Sequence, residues 1–189
     1  MHRSWTQEEF FAWAEKQDVR YEFDGVQPVA MTGGTVNSGD VMRNLQGALI
    51  PKLRGGKCKP YGPDNGVATV GKTIRYPDAL ITCAKQQGSS RLISDVIVVF
   101  EIVSPNSLRM DHVVKVREYA AVGSIRRYVI IESTSIDVTV MERKEPGERW
   151  LTSTLTERDI LEIPETGIEI PVAELYEGVT FSDDEVATS

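Results

Sequence analysis

Residues 76–103 constrain this chain more than any other stretch. YPDALITC sets Tyr-Pro-Asp at the mouth of an apolar strand, and VIVVFEIVSP follows as a second apolar strand carrying one acid. Asp78 and Glu101 are therefore single carboxylates within otherwise uncharged Val/Ile/Leu/Phe surroundings. A charged acid in a buried strand is costly unless it is paired or coordinates a cation. Two of them on neighbouring strands make an oxygen site suited to Mg²⁺, an arrangement compatible with phosphodiester cleavage.

Each residue has a plainer reading. Asp78 follows a proline, where an Asp side chain commonly bonds backbone groups of a turn. Glu101 lies in the middle of VVFEIV, where apolar density predicts burial, and a structural ion pair with Arg or Lys is its main alternative. Lys115 sits on the helix expected after the Glu101 strand, with Asp111 one turn before it and Tyr119 one turn after. It either forms an exposed pair with Asp111, worth about 0.3–0.5 kcal/mol, or turns toward the carboxylates. The second orientation lets an ammonium orient a water and offset developing negative charge.

Elsewhere the local signals are ordinary. Thr6-Gln-Glu-Glu9 is a capping box that opens a helix with Phe10, Trp13 and Ala14 at helical spacing. Tyr21–Phe23, the Asp24-Gly25 turn and Val26–Met31 read as a hairpin. Asn37 or Ser38 caps a second helix that turns Val41, Leu45, Ala48 and Leu49 inward and ends at Pro51 and Gly55-Gly56. Strands are expected over 57–61, 66–70, 73–83 and 95–103, then a helix over 108–122 and strands over 127–132 and 136–143. Strand–helix–strand across 96–132 is the crossover that joins parallel strands. PVAELY reads as a late helical turn, and Trp150–Leu155 as another extended segment. The chain is expected to form one α/β domain over 1–178 with an acidic, flexible tail over 179–189.

The formal charge of −7 is unevenly placed. No Lys or Arg follows Arg158, and nine acids fall between Asp159 and Glu185, whereas residues 1–158 carry a net +2. A basic cluster of Lys52, Arg54, Lys57 and Lys59 is thus available to phosphates, with a solvated surface as its plain alternative. No apolar run approaches a membrane span, and MHRSWTQEEFF lacks the pattern of a signal peptide. Cys58 and Cys83 stand apart without a CxxC, so a reduced, cytoplasmic setting is expected. Nor is there a P-loop or GxSxG motif, and His2 and His112 are poor material for a triad.

Taken together, PD, the strand-borne Glu101, SPNS, and D-x-x-x-K-x-x-x-Y before Gly123 form a pattern. It resembles the Uma-type family of restriction-endonuclease-like proteins, a branch of the PD-(D/E)XK nuclease superfamily. TQEEFFAW, RYEFDG and EIPVAELY extend the resemblance over most of the chain. It implies a restriction-endonuclease-like fold, a central mixed β-sheet flanked by helices. It also implies Asp78 as the metal-binding acid and Glu101 as the second carboxylate. Val103 stands where the superfamily usually has its lysine, and the family pattern moves that role to the following helix, hence to Lys115. Glu22, in the E-x-D-G stretch, is a further acidic candidate. The chain departs from the family at Asn37–Asp40, where a His is common, and at Val129, where a Trp is common.

The function expected from this reading is divalent-metal-dependent hydrolysis of nucleic-acid phosphodiesters, DNA foremost. Asp78, Glu101 and the main-chain carbonyl of Ile102 would hold Mg²⁺ or Mn²⁺, and Lys115 would assist the attacking water. The alternative is a nuclease-fold domain that binds nucleic acid or protein without cutting. A homodimer is plausible, because cutting two strands favours two symmetry-related sites.

Overall fold

Two sheets of unequal size organise the chain, and the polypeptide crosses from one to the other at Tyr76-Pro77-Asp78. The computed structural model describes residues 5–104 and 110–181. The smaller sheet has the order β2-β1-β5-β4, from β1 (Tyr21–Phe23), β2 (Pro28–Ala30), β4 (Val67–Ala68) and β5 (Ile74–Arg75). The larger has six strands in the order β10-β9-β8-β7-β6-β3. These are β3 (Lys59–Tyr61), β6 (Ala79–Thr82), β7 (Val96–Val103), β8 (Arg127–Glu132), β9 (Val138–Glu142) and β10 (Leu151–Leu155). The single strand expected over 73–83 is therefore two. Pro77 removes a ladder donor and restricts the residue before it, which ends one sheet and lets the chain enter the next.

β7 and β8 pair in parallel and their other neighbours are antiparallel, so the sheet is mixed as expected. Strand alternation divides its side chains into two cores. On one face Ala79, Ile81, Val98, Phe100, Val129 and Ile131 meet Val41, Leu45 and Leu49 of α2 (Val36–Leu53). The hairpin β11 (Ile160–Ile163)–β12 (Ile168–Pro171) and α4 (Val172–Leu175) complete that layer. On the other face Leu80, Val99, Val103, Tyr128 and Ile130 pack with Tyr119 of α3 (Val116–Ala120) and Ile125. A smaller cluster of Phe10, Phe23 and Ile74 seats α1 (Gln7–Ala14) on the four-stranded sheet.

Local chemistry accounts for the element ends. Thr6 Oγ1 accepts from Glu9 N at 3.1 Å while Glu9 Oε2 accepts from Thr6 N at 2.9 Å, a complete capping box. Asp24 Oδ1 takes the N–H groups of Val26 and Gln27, and Gly25 at φ +91° supplies the left-handed step of that turn. Thr35, rather than Asn37 or Ser38, caps α2, accepting from Ser38 N at 3.2 Å. Pro51 lies within the last turn of α2 instead of ending it, and Arg54 is the C-cap.

Two further expectations change. Cys58 and Cys83 are joined in a disulfide. They stand one step beyond the Lys59–Thr82 pair of adjacent strands β3 and β6, a neighbourhood that a separation of 25 residues conceals. The expectation of two isolated thiols is thus corrected. At the chain end, Val179 and Phe181 pack against the main core, and Phe181 lies 6.0 Å from the Tyr176 ring. The rest of the acidic segment lies outside the described residues. Among the described residues no helix is long and apolar enough to cross a membrane.

Candidate active site

The site forms where β6 begins and β7 ends. Ala79 pairs with Phe100, so one step outward Asp78 stands opposite Glu101 on the next strand. Alternation puts Asp78 on the same face as Leu80, and Glu101 on the same face as Val99 and Val103, both toward α3. Glu101 is buried and Asp78 only half-buried, which leaves Asp78 as the member of the pair nearer to solvent. Asp78 Oδ2 accepts from Ile102 N at 2.6 Å. The carbonyls of Ile97 and Val103 accept from Arg126 N and Ser133 N, which flank β8, so alternation turns the peptide groups of Ile102 to the β6 side, beside Asp78.

Lys115 is buried, and its Nζ donates to Glu101 Oε1 at 2.8 Å. Lys115 therefore takes the inward orientation; its alternative pairing with Asp111 falls on a side chain outside the described residues, as do the side chain of His112 and Pro105–Ser107 of the SPNS break. A π-helical turn, Met110–Lys115, runs directly into α3. Lys115 and Tyr119 then stand one α turn apart on one face, and Tyr119 Oη donates to the same Glu101 oxygen at 2.8 Å. Burial first, and then the Glu101 charge, hold the Tyr119 phenol well above its usual pKa, so it remains a donor.

Behind this pair lies a layer that the sequence does not announce. Arg75, 3 % exposed, donates Nη1 to Glu22 Oε2 at 2.8 Å. Its Nε and Nη2 grip both oxygens of Glu118 at 2.6 and 2.7 Å, a bidentate pair across to α3. Burial opposes the Arg75 charge, but the Glu118 hydrogen bonds and the Glu22 carboxylate outweigh it and raise the guanidinium pKa. Glu22 Oε1 also accepts from Tyr76 N at 3.2 Å and lies 3.9 Å from Lys115 Nζ. Glu22 thus reaches the constellation through Arg75 and Lys115.

The C-terminal end of α3 is fixed separately. Arg143 on the far side donates to the carbonyls of Ala120, Val122 and Ile125 at 2.6, 2.7 and 2.9 Å. A cation on the last carbonyls of a helix satisfies groups the helix cannot. Arg143 also stacks on Trp150, whose indole donates to Val116 O. Two arginines therefore hold the helix that carries Tyr119, Arg75 through Glu118 at its middle and Arg143 at its C-terminal end.

Among the described residues no set of three His, Cys, Asp or Glu side chains gathers at metal-binding spacing. The donors at hand are two carboxylates and a nearby main-chain carbonyl, all hard oxygens. That set fits Mg²⁺ or Mn²⁺, which keep several waters and use one or two carboxylates together with substrate phosphate.

The basic cluster is placed differently. Lys52, Arg54, Lys57 and Lys59 are all exposed, around the end of α2 and the start of β3. Lys59 pairs with Thr82, at the opposite end of β6 from Asp78 and about 13 Å away along the strand. A cleft of about 270 Å³ there is lined by Arg54, Gly55, Gly56 and Lys59, and one of about 490 Å³ along α1 by Trp5, Glu9 and Trp13. Neither is lined by Asp78 or Glu101. The structure does not bring the cluster to the carboxylates.

Known proteins are similar to this chain in sequence or in fold. Residues 7–173 match the Uma2 family, described as "Putative restriction endonuclease". The uncharacterized protein slr1290 of Synechocystis sp. is 29 % identical over 177 residues, covering 92 % of each chain. A crystal structure from Anabaena variabilis, titled as a "putative nuclease belonging to DUF820", superposes with a TM-score of 0.72. It covers 93 % of this chain and 99 % of its own at 10 % identity, a likeness of fold. The fold is restriction-endonuclease-like, and the chain belongs to the Uma2 family.

Proposed function

We propose that this chain is a divalent-metal-dependent endonuclease that hydrolyses phosphodiester bonds of nucleic acid, with DNA as the first substrate to test. The observation that carries the reading is the placement of Asp78 beside Glu101 with Lys115 Nζ on the Glu101 carboxylate. Asp78, Glu101 and the Ile102 carbonyl are the residues that hold Mg²⁺ or Mn²⁺. When bound, the cation polarises a phosphoryl oxygen and lowers the pKa of a water.

The protein's own groups do the rest. Tyr119 and Lys115 fix the Glu101 carboxylate by two hydrogen bonds to one oxygen. Lys115 is the cation that orients the attacking water and offsets negative charge as it builds on phosphorus. Glu22 lies near enough to share that ammonium, and Arg75 limits its pull by binding Glu22 directly.

The test is incubation of the full chain with supercoiled plasmid, single-stranded DNA and RNA, in EDTA, Mg²⁺ or Mn²⁺. The expected result is metal-dependent cutting that Asp78→Ala and Glu101→Ala both lose. Binding of nucleic acid without cutting by the wild type would instead favour a non-catalytic binding domain. The exposed Lys52–Lys59 cluster, remote from the carboxylates, is the feature that would serve it.

A further inference from the structure

The cations described so far are either committed or remote. Arg75 and Lys115 are buried, and each bonds carboxylates of its own layer. Lys52, Arg54, Lys57 and Lys59 are exposed but stand toward the other end of β6. A nucleic-acid strand crossing Asp78 carries a further negative charge at every nucleotide on either side of the bond that is cut. Arg20 differs from both groups of cations.

Two strand registers bring Arg20 to the start of β6. Counting outward from the pair of Phe23 and Ile74, Glu22 stands opposite Arg75, and Arg20 comes level with Pro77, the residue before Asp78. The ion pair of Arg75 with Glu22 follows from that register, and Met31 N donating to Arg20 O carries the β1–β2 ladder as far as Arg20. On the other flank, counting outward from Tyr61 and Leu80 brings Gly62 level with Ala79. There the 62–65 turn closes as Asn65 N donates to Gly62 O at 3.2 Å. Arg20 Nη2 donates to Pro63 O within this turn, and Arg20 Nη1 lies 3.5 Å from Asp64 Oδ1. The side chain therefore joins the start of β1 to the turn after β3, beside the Tyr76-Pro77-Asp78 crossing.

Its orientation is fixed as well as its position. The guanidinium carbon lies 5.5 Å from the centre of the Tyr76 ring, a cation–π contact. Tyr76 is half-buried and donates its N–H to Glu22 Oε1. Gly66 packs so close to it that a Cβ there would stand 3.2 Å from Tyr76 Cε1. Yet the Arg20 side chain keeps 44 % of its surface exposed. Of its five N–H donors Pro63 O takes one, and Asp64 is too distant for a good hydrogen bond. Among the described residues the other donors have no protein acceptor. Asp64 is itself 91 % exposed, so its ion pair with Arg20 is weak. An oriented guanidinium with open donors suits a phosphate, which it can bind through two parallel hydrogen bonds.

We propose that Arg20 is a phosphate-binding residue of this site, holding a backbone phosphate of the nucleic acid next to the one at Asp78 and Glu101. The inference rests on the hydrolase reading for its substrate, and adds the residue that seats the strand across the carboxylates. Asp64 competes with the phosphate for the same guanidinium, so the two residues act on binding with opposite sign.

Fluorescence anisotropy tests it, with a labelled DNA duplex, its single strand and the matching RNA, in EDTA and in Ca²⁺ over a NaCl series. Melting curves verify that each variant folds. Arg20→Ala should weaken binding about tenfold or more and reduce the slope of log affinity against log salt by about one. Arg20→Lys should restore the slope but only part of the affinity, because an ammonium lacks the fork. Asp64→Ala should tighten binding. In Mn²⁺, Arg20→Ala should raise KM more than it lowers kcat. A folded Arg20→Ala with wild-type affinity and slope overturns the inference, even where the wild type cuts in Mn²⁺ and the hydrolase reading stands. So does an Asp64→Ala that weakens binding as Arg20→Ala does, since Arg20 would then only hold the 62–65 turn. A wild type that binds none of the three nucleic acids overturns it together with that reading. The expected binding changes without cutting by the wild type would support Arg20 and contradict only the hydrolysis.

Discussion

Two groups of charges in this protein show opposite relations between sequence and space. Lys52, Arg54, Lys57 and Lys59 are neighbours in the chain, yet each is exposed and solvated at one edge of the sheet. Glu22, Arg75, Asp78, Glu101, Lys115 and Glu118 are scattered over nearly a hundred residues, yet they converge where the two sheets meet α3. The first group is what a charge count finds. The second is energetically committed, because a buried charge persists only with its partners in place. A cluster in sequence is a surface property, whereas a cluster in space is a site.

If this contrast is correct, the largest effect belongs to Lys115. Lys115→Met should lower cleavage by about two to four orders of magnitude, measured at saturating Mn²⁺, because it removes the ammonium bonded to Glu101. Cutting at the wild-type rate would leave Lys115 a structural ion only.

Next is Arg75. Arg75→Ala leaves buried Glu22 and half-buried Glu118 without their shared cation, and should cost about 3–5 kcal/mol by urea denaturation. Arg75→Lys should recover part of this, since a lysine cannot reproduce the bidentate grip on Glu118. A loss under about 1 kcal/mol would place Arg75 with the surface charges.

Tyr119→Phe should cost about 1–2 kcal/mol near neutral pH, through removal of the hydrogen bond to buried Glu101. Its pH dependence has a defined sign. Burial raises the folded pKa of Tyr119, and also those of Tyr76 and Tyr176, above the ordinary value of 10.0. The unfolded phenols ionise first, so this stability is present below pH 10 and declines as pH climbs above it. Melting temperatures from about pH 8 upward should therefore fall less steeply in Tyr119→Phe than in the wild type.

The smallest effect on stability belongs to the basic cluster. Alanine at Lys52, Arg54, Lys57 and Lys59 should each change it by less than about 0.5 kcal/mol. If the cluster meets phosphates, the same changes reduce the salt dependence of DNA binding, by roughly one in slope for each phosphate left unneutralised. An unchanged slope would remove it from the interface.

Much of the fold is legible in the chain itself. Continuous apolar runs identify β7 and β8, the length between them implies the parallel crossover, and the Thr6–Glu9 box marks α1. The two strand-borne acids stand out for the same reason, because charge contrasts with an apolar background. Arg75 carries no such contrast. It lies in a two-residue strand beside Lys72 and Thr73, and only the sheet crossing at Pro77 turns it inward. Pairing of Cys58 with Cys83 likewise depends on β3 lying beside β6, a long-range neighbourhood without a local signature. Periodicity leaves Lys115 ambiguous because a π turn precedes α3 and shifts the helical phase.

The most direct test of the central claim is Mn²⁺-dependent plasmid cleavage by Asp78→Asn beside the wild type. Asparagine keeps the side-chain shape and can still accept from Ile102 N, so the variant should melt close to the wild type. Cutting by the wild type in Mn²⁺ but not EDTA, and none by a folded Asp78→Asn, is the expected result. A wild type inert in every metal, or an Asp78→Asn that cuts at the wild-type rate, would contradict it.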